Sequence, residues 1–408
     1  MSVSSNNNII SVKGKFYEFP RFCSALHEVI DKKRWSEVIL DFSRCETVSE
    51  QVMLPLMPLI VQYRKEKEID FKLHESANEP LRRLFINANW GHYINPKEYD
   101  YKAVLREGAY VPASQYEDWS FQQELHENVM NLVLGNLQVT RDSLKVVEWS
   151  LWEIMDNVSN HAESPCGGFV QATAFQNLSR VEFVVADAGM GIPVSMNEPD
   201  HEKAIEDAIS EGVTKDKQNN AGNGLYGSYQ SAVMSGGEFE IHSLNGHFFR
   251  RSGQQAKLHR GSVPYKGTSV RCAIGVSDPE LLSKALRFKG VPSDPYSLYL
   301  EKFENEDEEV IFHMKTEVGN AFGSRNGGKH ARTKIENLLR GKKRIILDFD
   351  GVGIISSSFA DEVFGRFFVD MGFRAFARRI EMRNVDPTID GLIDRAIAQR
   401  SKLGNGSS

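Results

Sequence analysis

The sequence predicts an α/β protein in which a larger middle unit lies between two small βαβ-type units. Three observations carry this. Residues 1–110 alternate strand and helix signals in the order β-α-β-α-β-α. A related segment returns near the C terminus: VILDFSRCETVS (38–49) and IILDFDGVGIIS (345–356) share Ile, Leu, Asp, Phe and a closing Ser at the same spacing. Basic residues precede both and a helix signal follows both, which favours related modules over two unrelated buried strands. Between them, two long helical patterns precede strands interrupted by glycine-rich loops. The units expected are 1–110, 111–276, a linker at 277–308, and 309–400.

Residues 1–8 are polar and expected to fray. A strand follows at Ile9–Val12, then a helix at Phe19–Lys33 with Phe22, Leu26, Val29 and Ile30 on its apolar face. Val38–Phe42 is a short apolar run between charged segments, the signal of a buried central strand. A helix at Glu50–Lys65, a weak strand at Phe71–Leu73 and a helix at Glu79–Ala88 complete the unit, which Asn95–Pro96 closes. The middle unit reads as helices Phe121–Leu137 and Asp142–Ala162, strands Gly168–Phe175 and Val181–Ala186, a helix Leu225–Met234, and strands Glu238–His242 and Thr268–Ile274. The Gly- and Arg-rich stretch 245–267 reads as a long loop, either functional or mobile. Ser277–Arg287 looks helical, with Ser277 as N-cap and Pro279 in the first turn. The charge run EKFENEDEE (301–309) reads as a solvated linker or helix surface. Helices at Ala331–Leu339, Ser358–Met371 and Ile389–Gln399, with a strand at Ile345–Phe349, make up the last unit.

Composition narrows the function. Of 408 residues, 41% are hydrophobic and 25% charged, an ordinary globular balance, and the net charge of −6 argues against a nucleic-acid footprint. Cys23, Cys45, Cys166 and Cys272 match no zinc or CxxC spacing and read as reduced thiols of a cytoplasmic protein. MSVSSNNNIISVKGK has no apolar signal region. The longest apolar run, Val52–Val61, contains Pro55 and Pro58 and falls short of the roughly 20 residues that a membrane helix needs, so no membrane segment is expected.

The most informative stretch is Trp149–Ala162, WSLWEIMDNVSNHA. It has no proline or glycine, and Glu153, Asn157 and His161 recur every four residues, so they share one face of a helix. Alone, this is a solvated stripe on an amphipathic helix. Three later elements change its meaning. Asp187-Ala-Gly189-Met-Gly191-Ile follows an apolar strand, Gly222-Asn-Gly224-Leu225-Tyr-Gly227 opens a helix, and Lys266-Gly-Thr268 opens the last strand. A strand-end Asp offers acceptors to an amino group such as that of adenine. Glycines permit close backbone approach, and a helix N-terminus suits phosphate. An Asn oxygen suits Mg²⁺, and Glu153 one turn earlier is placed to polarise a water or hydroxyl.

In this order, over about residues 120–276, the four elements resemble the boxes of the GHKL ATPases, the histidine kinase-like group that includes gyrase, heat-shock chaperone and mismatch-repair branches. The resemblance implies a GHKL-type α/β sandwich of mixed sheet plus helices, a mobile lid within Val194–Gly222, and ATP with Mg²⁺ as ligands. It places Mg²⁺ on Asn157, adenine on Asp187, phosphate or backbone roles on Gly189, Gly191, Gly222, Gly224, Leu225 and Gly227, and Thr268 near the adenine. Lys215 and Lys217 are candidate phosphate-facing bases. His161 follows the Asn by four, as in the histidine and anti-sigma serine kinase branch. Glu153 is the catalytic candidate and does not separate hydrolysis from serine phosphorylation.

The flanking units resemble STAS domains, partners of such serine kinases. The terminal one is most similar to the STAS-like domain of unknown function. That resemblance implies a phosphorylatable serine after the strand-end Asp. The matching position is Ser357, within Ser356–Ser357–Ser358, and Glu50 in the first unit. The alternative for the serine run is a helix N-cap. His27–Glu28 and His126–Glu127 lack the flanks of a phosphoacceptor histidine box. The basic stretch 315–344 reads as a solvated helix face, with binding of nucleic acid or a phosphorylated partner as the alternative, and Arg250, Arg251 and Arg260 read as a flexible surface hairpin or as groups reaching phosphates or a partner. The expected function is a nucleotide-dependent regulatory switch with slow ATP hydrolysis, acting on protein partners through STAS-like modules, with a homo-oligomer open. The alternatives are a serine kinase acting on a STAS serine, and a nucleotide-sensing scaffold without turnover.

Overall fold

In this computed structural model the structure describes residues 2–17, 19–105, 107–212, 223–305 and 309–404. The first sheet contains β1 (Val3–Asn6), β2 (Ile9–Lys15), β3 (Glu37–Thr47) and β4 (Asp70–His74), in that order. Residues 1–8 were expected to fray, yet β1 pairs antiparallel with β2 across an Asn7 turn at φ 51°. Asn tolerates that conformation, and Val3 has a buried face to contribute. β2, β3 and β4 are parallel, and helices Phe19–Leu26 and Leu56–Lys67 provide the crossovers. Pro55 interrupts the expected Glu50–Lys65 helix, leaving a short turn at Glu50–Met53 before the longer segment.

The central sheet has the order β5-β6-β7-β9-β8, from β5 (Tyr110–Tyr116), β6 (Gly168–Phe175), β7 (Arg180–Asp187), β8 (Glu238–Arg250) and β9 (Lys257–Gly275). Every pairing in it is antiparallel, so it is not the mixed sheet expected from the resemblance. The reason is local: short turns join β6 to β7 and β8 to β9, and β9 then slots between β7 and β8. The stretch 245–267 is no loop either. Gly246–Phe249 pairs with Lys257–Arg260 as the outer half of the β8–β9 hairpin.

Side chains alternate across this sheet. Val181, Phe183 and Val185 join one hydrophobic cluster with helices Trp119–Asn136, Arg141–Asn157 and Gly224–Met234. Val184 and Ala186 join the other, with the N-terminal unit. Asp118 and Thr140 cap the first two helices by accepting from Phe121 N at 3.0 Å and Ser143 N at 3.1 Å. A short hairpin, β10 (Arg287–Phe288) and β11 (Val291–Pro292), follows. The helix expected from Ser277 begins only at Leu281, because Asp278 holds Glu280 N at 2.9 Å in a turn.

The last sheet, β12 (Val310–His313), β13 (Ile345–Asp348) and β14 (Ile380–Arg383), is parallel throughout. The repeat now has a structural meaning. Each copy is the middle strand of a parallel trio, β3 in the first sheet and β13 in the last. Asp41 accepts from Ser43 N at 3.0 Å and Asp348 from Asp350 N at 3.1 Å, the same turn two residues on. Ser49 and Ser356 each stand at the N-cap of the next helix. The charge run at 301–309 is not simply solvated: Phe303 is buried, and Glu304 pairs with Lys342 at 2.8 Å and with Arg141. Residues 306–308 lie outside the described residues.

The helix Arg325–Leu339 lies against Trp119–Asn136 and joins the last unit to the middle one. Asn337 donates to the Leu134 and Leu137 carbonyls at 2.8 and 2.7 Å and accepts from Val139 N at 3.1 Å. Gly135 faces the buried His330 ring so closely that a Cβ would overlap it. Gly135→Ala is therefore expected to destabilise the chain by about 1–3 kcal/mol, against a helix-propensity gain of about 1 kcal/mol. Adding His330→Ala should recover part of that loss. Urea unfolding of the two variants tests this, and a more stable Gly135→Ala single variant would contradict the packing.

Candidate functional site

One cavity of about 420 Å³ collects residues from several distant segments. The helix Arg141–Asn157 supplies Trp149, Glu153, Ile154, Asp156 and Asn157, and a wider turn at Val158–Ala162 carries His161 to the same rim. Asp187, Gly191 and Ile192 come from the end of β7 and the loop after it, Gly224 and Leu225 from the start of the Gly224–Met234 helix, and Thr268 from β9. Asp187 has the same parity in β7 as Val181, Phe183 and Val185, so its side chain faces the helices. Val185 and Val270 are cross-strand partners and form an apolar floor beside it.

Asp187 is 1% exposed. Its Oδ1 accepts from Gly189 N at 2.7 Å, and Thr268 N also donates to its carboxyl. Burial pushes the carboxyl up to about 7 despite these two donors. Glu153 is pushed to about 7 as well, by burial and then by neighbouring Asp156. Burial also raises Asp156, whose Oδ1 accepts from Gln122 at 2.5 Å. The cavity thus brings three carboxyl groups and the amides of Asn157, Asn160 and Asn223 together. His161 is the single side chain among the described lining residues that can carry positive charge.

The glycines divide by role. Gly191 lines the cavity at φ 81°, a conformation that suits glycine. Gly224 lies against Glu153, and a Cβ there would strike the Glu153 carboxylate. Gly189 and Gly227 do not line the cavity. Gly189 packs on the Ala162 carbonyl and Gly227 on the Trp149 ring, so both admit close backbone approach rather than a ligand. Gly222, Lys215 and Lys217 lie outside the described residues. So do residues 213–222 of the expected lid, while the part before them holds the helix His201–Ala208.

Besides Asp156 and Asn160 on the marked helix, sequence reasoning missed three contributors from other segments. Ser243 is fully buried, and its Oγ accepts from Ile192 N at 2.8 Å and lies 3.1 Å from Gly267 O and 3.0 Å from Thr268 Oγ1. It ties the loop after Asp187 to the turn before Thr268. Phe288 and Ser293, from the stretch expected to be a linker, close one side. No motif marks any of the three.

Elsewhere, Ser356 is the helix N-cap, its Oγ accepting from Phe359 N at 3.1 Å. Ser357 is the next residue and is exposed. His126 is buried against Trp152 and the Glu148 carbonyl, and burial lowers it to about 4. His27 pairs with Asp31 at 2.7 Å. Much of the basic stretch is committed inside the chain: Arg332 to Glu336, Lys334 to Glu317, Lys342 to Glu304 and Arg344 to Glu381.

One comparison bears on the last unit. Residues 328–390 match the family described as STAS-like domain of unknown function (DUF4325). No curated protein matches the chain. The match spans the Arg325–Leu339 helix from its fourth residue, β13, the Ser357 segment and β14. The architecture is therefore mixed α/β with a STAS-like region, a kind of module suited to protein–protein contact. Among the described residues, no helix is long and apolar enough to cross a membrane, and the four cysteines are buried free thiols.

The raised carboxyls set a pH dependence. Unfolded Asp and Glu lose their protons near about 3.9 and 4.3. In the folded, ligand-free chain Asp187 and Glu153 keep theirs to about 7. Between those values the folded state binds more protons, so this contribution to stability is full below about pH 4 and is lost as the pH rises to about 7. Chemical unfolding across this range should show a smaller loss of stability in Asp187→Asn than in the unsubstituted chain. Equal slopes would remove Asp187 from this role.

Proposed function

We propose that the cavity binds ATP with Mg²⁺ and that the chain is a GHKL-type nucleotide-dependent regulator of STAS-like interaction modules. The reading takes 1–110 as an N-terminal STAS-like unit, 111–276 as the nucleotide unit, 277–308 as the connection and 309–400 as the C-terminal unit. The observation that carries it is the convergence of Glu153, Asn157, Asp187, Gly191, Gly224, Leu225 and Thr268 on one cavity. Asp187 would accept from the adenine amino group over the apolar floor of Val185 and Val270. The N-terminus of the Gly224–Met234 helix would meet phosphate. The donor set fits Mg²⁺: a triphosphate beside Glu153 and Asp156 is repelled unless a divalent cation stands between them, and Asn157 offers a neutral oxygen. Bound there, Mg²⁺ would neutralise phosphate charge.

Glu153 rests against Gly224, where the helix begins, and so beside the proposed phosphate position. With its carboxyl pushed to about 7, it is suited to take a proton from an attacking water near neutral pH. That supports slow hydrolysis. A second reading, transfer to Ser357, is favoured by one observation: Ser356 does the capping, which leaves the neighbouring Ser357 hydroxyl exposed at a helix start, where phosphate is favourable. Homo-oligomers and outside protein partners fit either reading, since modules of this kind dock on one another.

Incubation with γ-labelled ATP separates the readings. Asp187→Ala and Asn157→Ala should each weaken ATP-Mg²⁺ binding by about 10–100-fold. Glu153→Ala should retain binding and lose about 10²–10⁴-fold in phosphate release. Label on the protein that disappears in Ser357→Ala supports the kinase. Binding with neither free phosphate nor label leaves a nucleotide sensor. Absence of binding, or binding indifferent to Asp187 and Asn157, overturns the proposal.

A further inference from the structure

Across its register shift, the β8–β9 hairpin gathers polar side chains that the nucleotide cavity does not use. Glu240 and His242 are two apart in β8 and share a face. The ladder shifts register between Ser243 and Gly246, with Leu244 at φ 49°, and His247 returns to the same side. The His242 and His247 rings stack with centroids 3.7 Å apart. Both Nε2 atoms face one oxygen, Glu240 Oε1, at 3.1 and 2.9 Å. The other nitrogen of His247, Nδ1, lies 3.0 Å from Nε2 of His259, its cross-strand partner. Glu240 Oε2 is held by Arg251 at 3.1 Å, and Glu238 meets the same guanidinium at 3.1 Å.

We propose that Glu240, His242 and His247 form a binding site for a divalent first-row transition metal, zinc foremost, with His259 orienting His247. Two imidazoles and one carboxylate are a donor set for such ions and a poor one for Mg²⁺. The three donor atoms all lie within 4.8 Å of one another. Around tetrahedral zinc, with bonds of about 2.0–2.1 Å, donors stand roughly 3.4 Å apart. The observed Nε2–Oε1 separations of 2.9 and 3.1 Å therefore open by about 0.3–0.5 Å on binding, and the stacked His242 and His247 rings splay so that both Nε2 lone pairs aim at one ion. Both Nε2 atoms act as ligands once each imidazole carries its proton on Nδ1. In that tautomer His247 Nδ1–H donates to His259 Nε2, the outer hydrogen bond that metal-bound histidines usually make. Arg251 fixes the carboxylate in the same way, and Glu238 offsets its charge.

The surroundings favour a fixed site. The Glu240, His242 and His247 side chains are 14%, 13% and 19% exposed, mostly desolvated yet reachable. Phe19 packs edge-on against His242, and Phe249 flanks His247. A metal here would pin the hairpin across its register shift, between the ladder that carries Thr268 and the outer strands. The alternative is a hydrogen-bonded trio in which both Nε2–H groups donate to Glu240.

The two are separated by titrating the metal-stripped full-length chain with Co²⁺ and then Zn²⁺. We expect one equivalent of Co²⁺ to bind with the intense visible absorption of a four-coordinate site, and Zn²⁺ to displace it and raise the melting temperature. His247→Gln and Glu240→Gln should abolish the band, and His259→Ala should weaken binding about 10–100-fold. Asn157→Ala, in the nucleotide cavity, should leave the band unchanged. Each variant's cooperative unfolding without metal shows that it is folded, and His242→Gln serves where one of the others is not. No saturable Co²⁺ binding, or a band that survives these substitutions, overturns the proposal.

Discussion

The Tyr265 hydroxyl has one proton and two carbonyl oxygens within reach, that of Asp187 at 2.8 Å and that of Pro55 at 3.1 Å. The ring is 1% exposed, so no water competes for the phenol, and these two carbonyls keep the buried hydroxyl from the cost of an unmet donor. The end of β7 and the Pro55 turn of the first unit are thereby held to one atom. Gly267, at φ 105°, makes this possible, because a Cβ there would meet the Asp187 carbonyl. Asp187 is thus fixed on two sides: its main chain by Tyr265, and its carboxyl by the Gly189 and Thr268 N–H groups. A second tie on the same face of the sheet is ionic. Arg271 grips Glu182 through both carboxylate oxygens, at 2.7 and 2.8 Å, and Glu238 at 2.8 Å, and Gln51 of the first unit reaches Glu182 at 2.8 Å. Such a buried group is costly unless every charge is met, and here the partners come from three strands and a neighbouring unit.

That double-faced sheet explains which elements were legible in the sequence. Buried on both sides, β7 reads as the unbroken apolar run around Phe183–Ala186, and the repeat strand β13 stands out for the same reason. Long helices with a cap and a clean apolar stripe were also readable, Arg141–Asn157 above all. Tyr110–Tyr116 was missed because Pro112, Ser114 and Gln115 break its pattern, although it pairs along β6. β12 was hidden behind an acidic run, and β14, IEMR, carries two charges in four residues. The hairpin at 245–267 reads as a loop because its glycines, its basic and polar runs and Pro264 leave no apolar period, and only the pairing of the two strands reveals it.

The candidate cavity was legible where a motif marked it. Glu153, Asn157 and His161 share a helical face, and Asp187 ends an apolar strand. Both are local facts of spacing. Ser243 and Phe288 arrive from elements with no motif, so only tertiary placement finds them. Of the phosphate or backbone roles that the resemblance implies for the glycines, Gly189 and Gly227 take the second: the packing uses their missing side chains to bring Ala162 and Trp149 close. The charge of the basic stretch in the last unit is largely spent within the chain.

The two flanking units are attached to this cavity by different physics. The first shares the Tyr265 hydroxyl with the Asp187 carbonyl and reaches β7 through Gln51 and Glu182, so a change in how the Asp187 carboxyl is satisfied acts beside the hydroxyl that holds Pro55. The last unit touches no cavity residue through its anchoring contacts. Its anchor is helix on helix: the His330 ring on Gly135, the Asn337 amide on the end of the Trp119–Asn136 helix, and Lys334 on Asn131 at 2.5 Å and Glu317 at 2.9 Å, with 1% exposure. Two chains of contact lead from the cavity helix to it: Arg141 through Glu304 to Lys342, and the packing of Trp119–Asn136 against Arg141–Asn157, where Gln122 meets Asp156 at 2.5 Å and Ser159 at 2.6 Å. Asp156 lines the cavity and is itself raised by burial. A cation placed beside it would favour its ionised form, strengthen its hold on Gln122, and so bias the helix on which the STAS-like unit is seated.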